Sequence, residues 1–172
     1  YFVQLSSIDT LKYKGQLWGL FRDQQRLLQQ RFPYSGMAVS SDRGHPDDVH
    51  PRNKRDIGLR LALWALHDQY GKEVVPSGPL PSLAKYDAGK IKVSFAYARG
   101  GLFIKEGEKL RGFSFDGITE EAAFIAGDKV EILIRGRPNF VYYGWKSFSD
   151  GNLSNAEGLP ASTFRIPIEF DR

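Results

Sequence analysis

The run Asp42-Arg-Gly-His-Pro-Asp-Asp-Val-His50-Pro51 sets two carboxylates, Asp47 and Asp48, three and two residues ahead of a histidine. A carboxylate held against one imidazole nitrogen fixes the tautomer and stabilises the imidazolium, which leaves the other nitrogen to work as a base. His50 is therefore the candidate general base, with Asp47 as its candidate orienting carboxylate. Pro51 restricts His50 to an extended backbone at the end of a loop. The chemistry such a pair serves is hydrolysis through a serine that the histidine activates. A plain surface loop fits the same residues, its histidine capping the next helix or meeting solvent, because so short a spacing recurs by chance.

Other chemistries find less support. Cysteine is absent, which removes disulfides, thiol nucleophiles and thiolate metal sites. The three histidines, at 45, 50 and 67, have no metal-ligand spacing, and no cofactor is expected. The net charge of +4 is mild and spread evenly, +3 over residues 1–76 and +1 over 77–172. Without a basic stripe, nucleic-acid binding is not expected despite a pI near 9.3. No apolar run approaches the ~20 residues of a membrane span.

At 172 residues, 41% hydrophobic and 26% charged, the chain has the composition of a packed globular protein. It opens on Tyr1-Phe-Val-Gln-Leu5, which reads as the interior of a strand, so sequence is expected to precede it. Leu17, Leu20, Phe21, Gln24, Leu28 and Phe32 recur at helical spacing and predict an amphipathic helix from about Gln16 to Arg31, ended by Pro33. Gly36–Ser40 is a second strand, and the Asp/His loop follows it directly. Asn53 reads as an N-cap, with Asp56 three residues on. Ile57, Leu61, Trp64 and Ala65 form the buried stripe of a helix that ends near Tyr70-Gly71. Strand, helix, strand, loop, helix is α/β organisation, with the loop beyond the carboxyl end of a strand, where open sheets bind ligands.

The pattern changes at Pro76-Ser-Gly-Pro-Leu-Pro81. Beyond it Ile91, Val93, Phe95 and Tyr97 alternate with Lys90, Lys92 and Ser94, and Val130, Ile132 and Ile134 alternate with Glu131 and Leu133. Leu102–Ile104, Gly112–Phe115, Ala122–Ile125, Phe140–Tyr143 and Phe164–Ile168 are further short strands. Such strands between Gly-rich turns predict a small antiparallel β-sandwich-like unit. The expected division is thus an α/β part over 1–76 and an antiparallel β part over 77–172.

Many short segments together resemble the carboxyl-terminal part of the sialate O-acetylesterase family, carbohydrate esterases of the SGNH-hydrolase type. They are Phe2-Val-Gln-Leu5, Trp18, Phe21-Arg-Asp-Gln-Gln25, Gly36-Met-Ala-Val39, Asp42, Asp48-Val-His-Pro51, Asn53-Lys54, Gly58, Arg60-Leu-Ala-Leu63 and Tyr70-Gly71. The similarity continues through Ser77-Gly-Pro79, Arg111-Gly-Phe113, Tyr143-Gly-Trp145 and Asn155-Ala-Glu-Gly-Leu-Pro-Ala161. The resemblance implies a serine esterase that removes acetyl groups from sugar hydroxyls, with residues 1–76 as the end of an SGNH-type parallel-sheet domain and 77–172 as an accessory β domain. It implies His50 as the base and Asp47 as its partner, with Asp48 as the alternative.

The family's serine lies near the start of its catalytic domain, and its block is not found here. Gly15-Gln16 runs into Leu17-Trp18, Ser6-Ser7 lacks the glycine of a sharp nucleophile turn, and Leu153-Ser-Asn155 falls in the family's terminal region. The serine is therefore expected from an upstream segment, and this segment alone is expected to be inactive. The expected substrate is an acetylated carbohydrate, on sialic acid or a plant polysaccharide. Export to a periplasmic, extracellular or lysosome-like compartment is expected, as for relatives that process extracellular glycans. The alternative from another class is a non-catalytic carbohydrate-binding or structural segment with a vestigial loop. Among rings on which a sugar could stack, Trp64 is expected in the core and Trp18 either packed or at a rim. Tyr142, Tyr143 and Trp145 share a strand end where packing is the default. Arg22 and Arg111 could meet an acidic sugar, though facing solvent is the simpler expectation.

Overall fold

The computed structural model describes residues 1–10 and 17–170. Strands Phe2–Val3 (β1) and Met37–Ala38 (β2) run parallel, with Phe2 opposite Met37. The Phe2 amide donates to Gly36 O at 3.0 Å and the Gln4 amide to Ala38 O at 2.8 Å. Parallel neighbours need a crossover, and the helix Trp18–Arg31 (α1) supplies it. The start predicted at Gln16 lies outside the described residues. The second helix is Lys54–Asp68 (α2). Its cap is the expected one: Asn53 Oδ1 accepts from the Asp56 amide at 3.0 Å, and Asn53 Nδ2 donates to Asp56 Oδ2 at 2.9 Å. Trp64 is buried and donates to Met37 O at 3.0 Å, which fixes α2 on β2.

The remaining strands are Leu80–Asp87 (β3), Lys90–Ala96 (β4), Leu102–Ile104 (β5), Phe113–Ser114 (β6), Ala123–Ala126 (β7), Lys129–Leu133 (β8), Phe140–Tyr143 (β9), Leu153–Asn155 (β10) and Phe164–Glu169 (β11). Seven of them form one sheet in the order β6-β9-β11-β3-β4-β8-β7, antiparallel except for the β11–β3 pair. The two ends of this sheet meet through bridges Leu110–Ala123 and Ser114–Glu120, so it nearly closes on itself. β5 pairs separately with β10.

Alternation delivers the core. Ile91, Val93, Val130, Ile132, Val141 and Phe164 are all buried, while the residues between them reach the surface or its edge. A mostly antiparallel sheet of this kind is compatible with the expected sandwich-like unit. The periodicity did not predict β3, because Pro81 interrupts it. A register shift between Pro81 and Leu83 absorbs that residue.

The first helix departs from its apolar pattern. Leu17, Phe21, Leu28 and Phe32 are exposed, whereas Gly19, Arg22, Asp23 and Arg26 are buried. The reason is the partner of that inner face, the loop after β9, which presents main-chain carbonyls. A Cβ on Gly19 would run into the Trp145 carbonyl. Arg22 is fully buried and donates to Gly144 O at 2.8 Å, Ser147 O at 3.0 Å, Thr163 Oγ1 at 2.9 Å and Lys146 O. Oxygens of this kind call for a guanidinium, which has five donors in a fixed fork. Solvent exposure was the expectation for Arg22, and the carbonyl-rich loop overturns it.

Candidate active site

Beyond β2 the chain makes a short 3-10 turn over Ser41–Arg43 and enters the Asp/His loop. Asp42 anchors this turn. Its two oxygens accept from Arg60 Nη1 at 2.6 Å and Nη2 at 2.8 Å, and Lys105 Nζ reaches Oδ2 at 2.7 Å. Arg60 Nη1 also donates to Val39 O at 2.6 Å. Burial by itself would raise the Asp42 carboxyl, but hydrogen bonds and charge from Arg60 and Lys105 outweigh it and hold the group below the usual carboxylate range. Next to it, Arg43 Nε donates to Asp56 Oδ2 at 2.7 Å on α2. The base of the loop is therefore clamped to α2 and, through Lys105, to the end of β5.

A second support lies on the loop's other side. The hydrogen bonds of segment Ser7–Asp9 alternate between two neighbours. Ser7 O accepts from the His45 amide at 3.1 Å, and the Asp9 amide donates to Pro46 O at 3.0 Å. Between them, the Ile8 amide donates to Ser147 O at 3.2 Å. The segment is thus a strap between the histidine loop and the loop after β9. Gly44 makes the close approach possible, because a Cβ there would run into the Ser7 carbonyl.

At the tip, the His50 side chain is 84% exposed. Its Nδ1 lies 3.3 Å from Asp48 Oδ1, and that same oxygen accepts from the His50 amide at 2.8 Å. The backbone bond is an Asx-turn. It is the leading influence that holds the Asp48 carboxyl below its usual range. Asp47 is exposed, and its amide donates to His45 Nδ1 at 3.1 Å. The structure therefore sets Asp48 against His50, with Asp47 one residue before it in the same exposed tip.

The serines weighed as nucleophiles, and Ser40 beside Ser6, have structural work. Ser40 Oγ donates to Gln4 O, so in its 2.6 Å contact with Ser6 Oγ the proton comes from Ser6. Ser7 Oγ accepts from the Ser149 amide at 3.2 Å, and Ser154 Oγ donates to Phe103 O at 3.3 Å. Of the aromatic set, Trp64 is in the core as expected. Tyr143 is also buried, and its hydroxyl accepts from the Leu153 amide at 2.9 Å. Trp145 packs edge-on against Tyr142. Trp18 donates to Ser6 O at 2.7 Å and so braces the strap. Arg111 Nε lies 3.4 Å from Asp150 O, in the rim beside that strap.

Two residues that clamp the loop had no role in the sequence reading, Arg60 and Lys105. Arg60 carried a signal, since it lies three residues after Ile57 and four before Trp64 on the stripe that α2 buries. Lys105 carried none, being one lysine among many exposed charges.

No family model matches the chain, and no curated protein matches it. Solved structures do. The chain is similar to the crystal structure of a carbohydrate acetylesterase from Xanthomonas citri, with a TM-score of 0.83 at 36% sequence identity over 95% of this chain and 40% of that one. By sequence and by fold the chain is related to a carbohydrate esterase, and it spans about two fifths of the length of that relative.

Proposed function

We propose that this chain is the carboxyl-terminal segment of an SGNH-type carbohydrate O-acetylesterase in which His50 is the general base. The similarity to a carbohydrate acetylesterase over 95% of the chain carries this reading. The position of the Asp/His loop after β2 agrees with it. His50 takes the proton of a serine hydroxyl supplied by another segment as that oxygen attacks the acetyl carbonyl. The imidazolium then protonates the departing sugar oxygen, leaving an acetyl-enzyme. A water deprotonated by His50 attacks that ester, and acetate and the free serine are released.

Asp47 is the proposed orienting carboxylate. Asp48 already spends an oxygen on the His50 amide, a local turn that needs no catalytic reason. The substrate is an acetylated sugar hydroxyl, on sialic acid or a plant polysaccharide, met in an exported compartment. Without the serine and its oxyanion donors, one of which is worth ~10²–10³ in rate, the isolated chain is close to inactive. The test is acetate release from an acetylated sugar by the assembled enzyme and by its His50→Ala variant. Equal rates would remove His50 from the mechanism.

The exposure of His50 favours one other reading, a carbohydrate-binding segment with a vestigial loop. Under that reading sugar affinity survives His50→Ala and no acetate is released by either form.

A further inference from the structure

A groove of about 510 Å³ runs along the seam between the second half of α1 and the sheet, where β3 starts, β4 ends and β11 crosses. Its size is that of a small-ligand site, ~300–1,000 Å³. It is far from the histidine loop. α1 starts at Trp18, beyond the carboxyl end of β1, and Arg26, Gln29 and Gln30 line the groove roughly 12–18 Å further along the helix axis, at ~1.5 Å per residue. Pro81 and Pro167 make part of the lining apolar, and no acidic residue lines it among the described residues.

Arg26 is 2% exposed. Its Nε and Nη2 donate to Asp23 Oδ1 at 2.8 Å and its Nη1 to Gln30 Oε1 at 3.2 Å, which leaves two of the five N–H groups of a guanidinium unused. Gln29 Nε2 is 3.4 Å from Ser35 O, and its Oε1 is buried without a partner. On the β11 side, the Arg165 guanidinium lies over the Phe140 ring at 5.0 Å, a stacking that leaves its N–H edge open. It has no carboxylate partner among the described residues. Tyr97 adds an aromatic wall with a φ of 59°, a left-handed conformation that costs a bulky residue free energy. Asn155 Nδ2 donates to its carbonyl at 3.0 Å, and Trp64 meets its ring edge-on at 5.9 Å, so the strained residue is held from two sides. Backbone strain fixed in this way clusters at ligand clamps.

We infer that this groove is a second carbohydrate-binding site, for a sugar that carries a carboxylate. Asp23 neutralises Arg26, so Arg165 gives the groove one uncompensated positive charge. Its open N–H edge matches a carboxylate in two parallel hydrogen bonds. The unused N–H groups of Arg26 and the unpaired amide oxygen of Gln29 take ring hydroxyls, and Tyr97 packs on an apolar face of the sugar. The inference rests on the reading that the enzyme acts on a carbohydrate. At its distance from His50, the groove holds a different unit of the substrate chain from the one that is deacetylated. Holding a polymer at two points raises the effective concentration of its acetyl groups at the histidine.

The experiment titrates the assembled enzyme by calorimetry with trigalacturonate, with 3′-sialyllactose and with neutral galactotriose, none of which has an O-acetyl group. The expected result is that at least one acidic trisaccharide binds, at least about tenfold more tightly than the neutral one. Which of the two binds tells a uronate from a sialic acid. Arg165→Gln should weaken that binding about 10–100-fold. Tyr97→Gly, which suits the left-handed backbone, should weaken it about threefold to tenfold. Arg137→Gln removes the same charge from an exposed guanidinium outside the groove and should leave binding unchanged. Binding of neither acidic sugar, equal affinity of the Arg165→Gln and unsubstituted enzymes, or an equal loss in Arg137→Gln would overturn the proposal. Acetate release from an acetylated sugar is read separately. Binding in the expected pattern by an enzyme that releases no acetate would leave the groove standing and remove the esterase reading.

Discussion

Asp47 and Asp48 both precede one imidazole, and it is Asp48 whose carboxylate lies against His50 in the structure. Asp48 accepts the His50 amide and closes a turn, and its carboxylate also lies 3.3 Å from the ring. Under the proposed mechanism Asp47 orients the ring. In the assembled enzyme Asp47→Asn should lower kcat by about 10³–10⁴-fold with KM little changed, as loss of an orienting carboxylate does. Asp48→Asn should cost less than about tenfold, and steady-state acetate release distinguishes the two. The reverse order would move the role to Asp48. Spacing made the closeness of Asp48 to His50 legible, because the relation is local. Arg22 was not legible. Charged residues are almost always solvent-exposed, and the carbonyls that bury this one are more than a hundred residues away in the chain. Burial lowers the Arg22 pKa to about 10, which marks how fully it has left water.

The histidine loop is held as an element by a clamp and a strap. Asp42→Asn removes the charge facing Arg60, whose side chain is nearly buried, and should cost about 3 kcal/mol in urea unfolding. The pH dependence follows from the direction of the shift. The folded Asp42 carboxyl titrates below its unfolded value near 4, so the stability it lends is whole above about pH 4 and is lost as pH falls through the lowered value. Acid unfolding of the Asp42→Asn variant should therefore depend less on pH in that range. On the strap side, Gly44→Ala should push the loop off Ser7. Faster exchange of the His45 amide, read by NMR, would report the displacement. Most elements were legible from periodicity: both helices, β1, β2 and the alternating strands of the sheet. The α1 stripe predicted the helix but not its orientation, because an apolar face identifies a surface to be covered without saying which segment covers it.

For the molecule as a whole, the βαβ unit and the nearly closed sheet meet through a polar junction, with Arg22 at its centre. Arg22→Met would leave several buried carbonyls without donors, at ~1–3 kcal/mol for each. A loss of at least ~3 kcal/mol in chemical denaturation is the expected outcome, and a loss below about 1 kcal/mol would show that the junction is not a source of stability. The change from helical to alternating pattern near Pro76 was visible in the sequence. The closing of the sheet through Leu110–Ala123 was not, because a bridge between its two ends leaves no periodic trace. The junction also bears on when the protein can fold during synthesis. Arg22 and the Lys146 carbonyl it donates to are 124 positions apart. At ~5–20 residues per second, a ribosome needs roughly 6–25 s to make the stretch between them. Throughout that interval α1 exists without the oxygens that receive its guanidinium, so the βαβ unit can dock on the nearly closed sheet only after the loop behind β9 has left the exit tunnel.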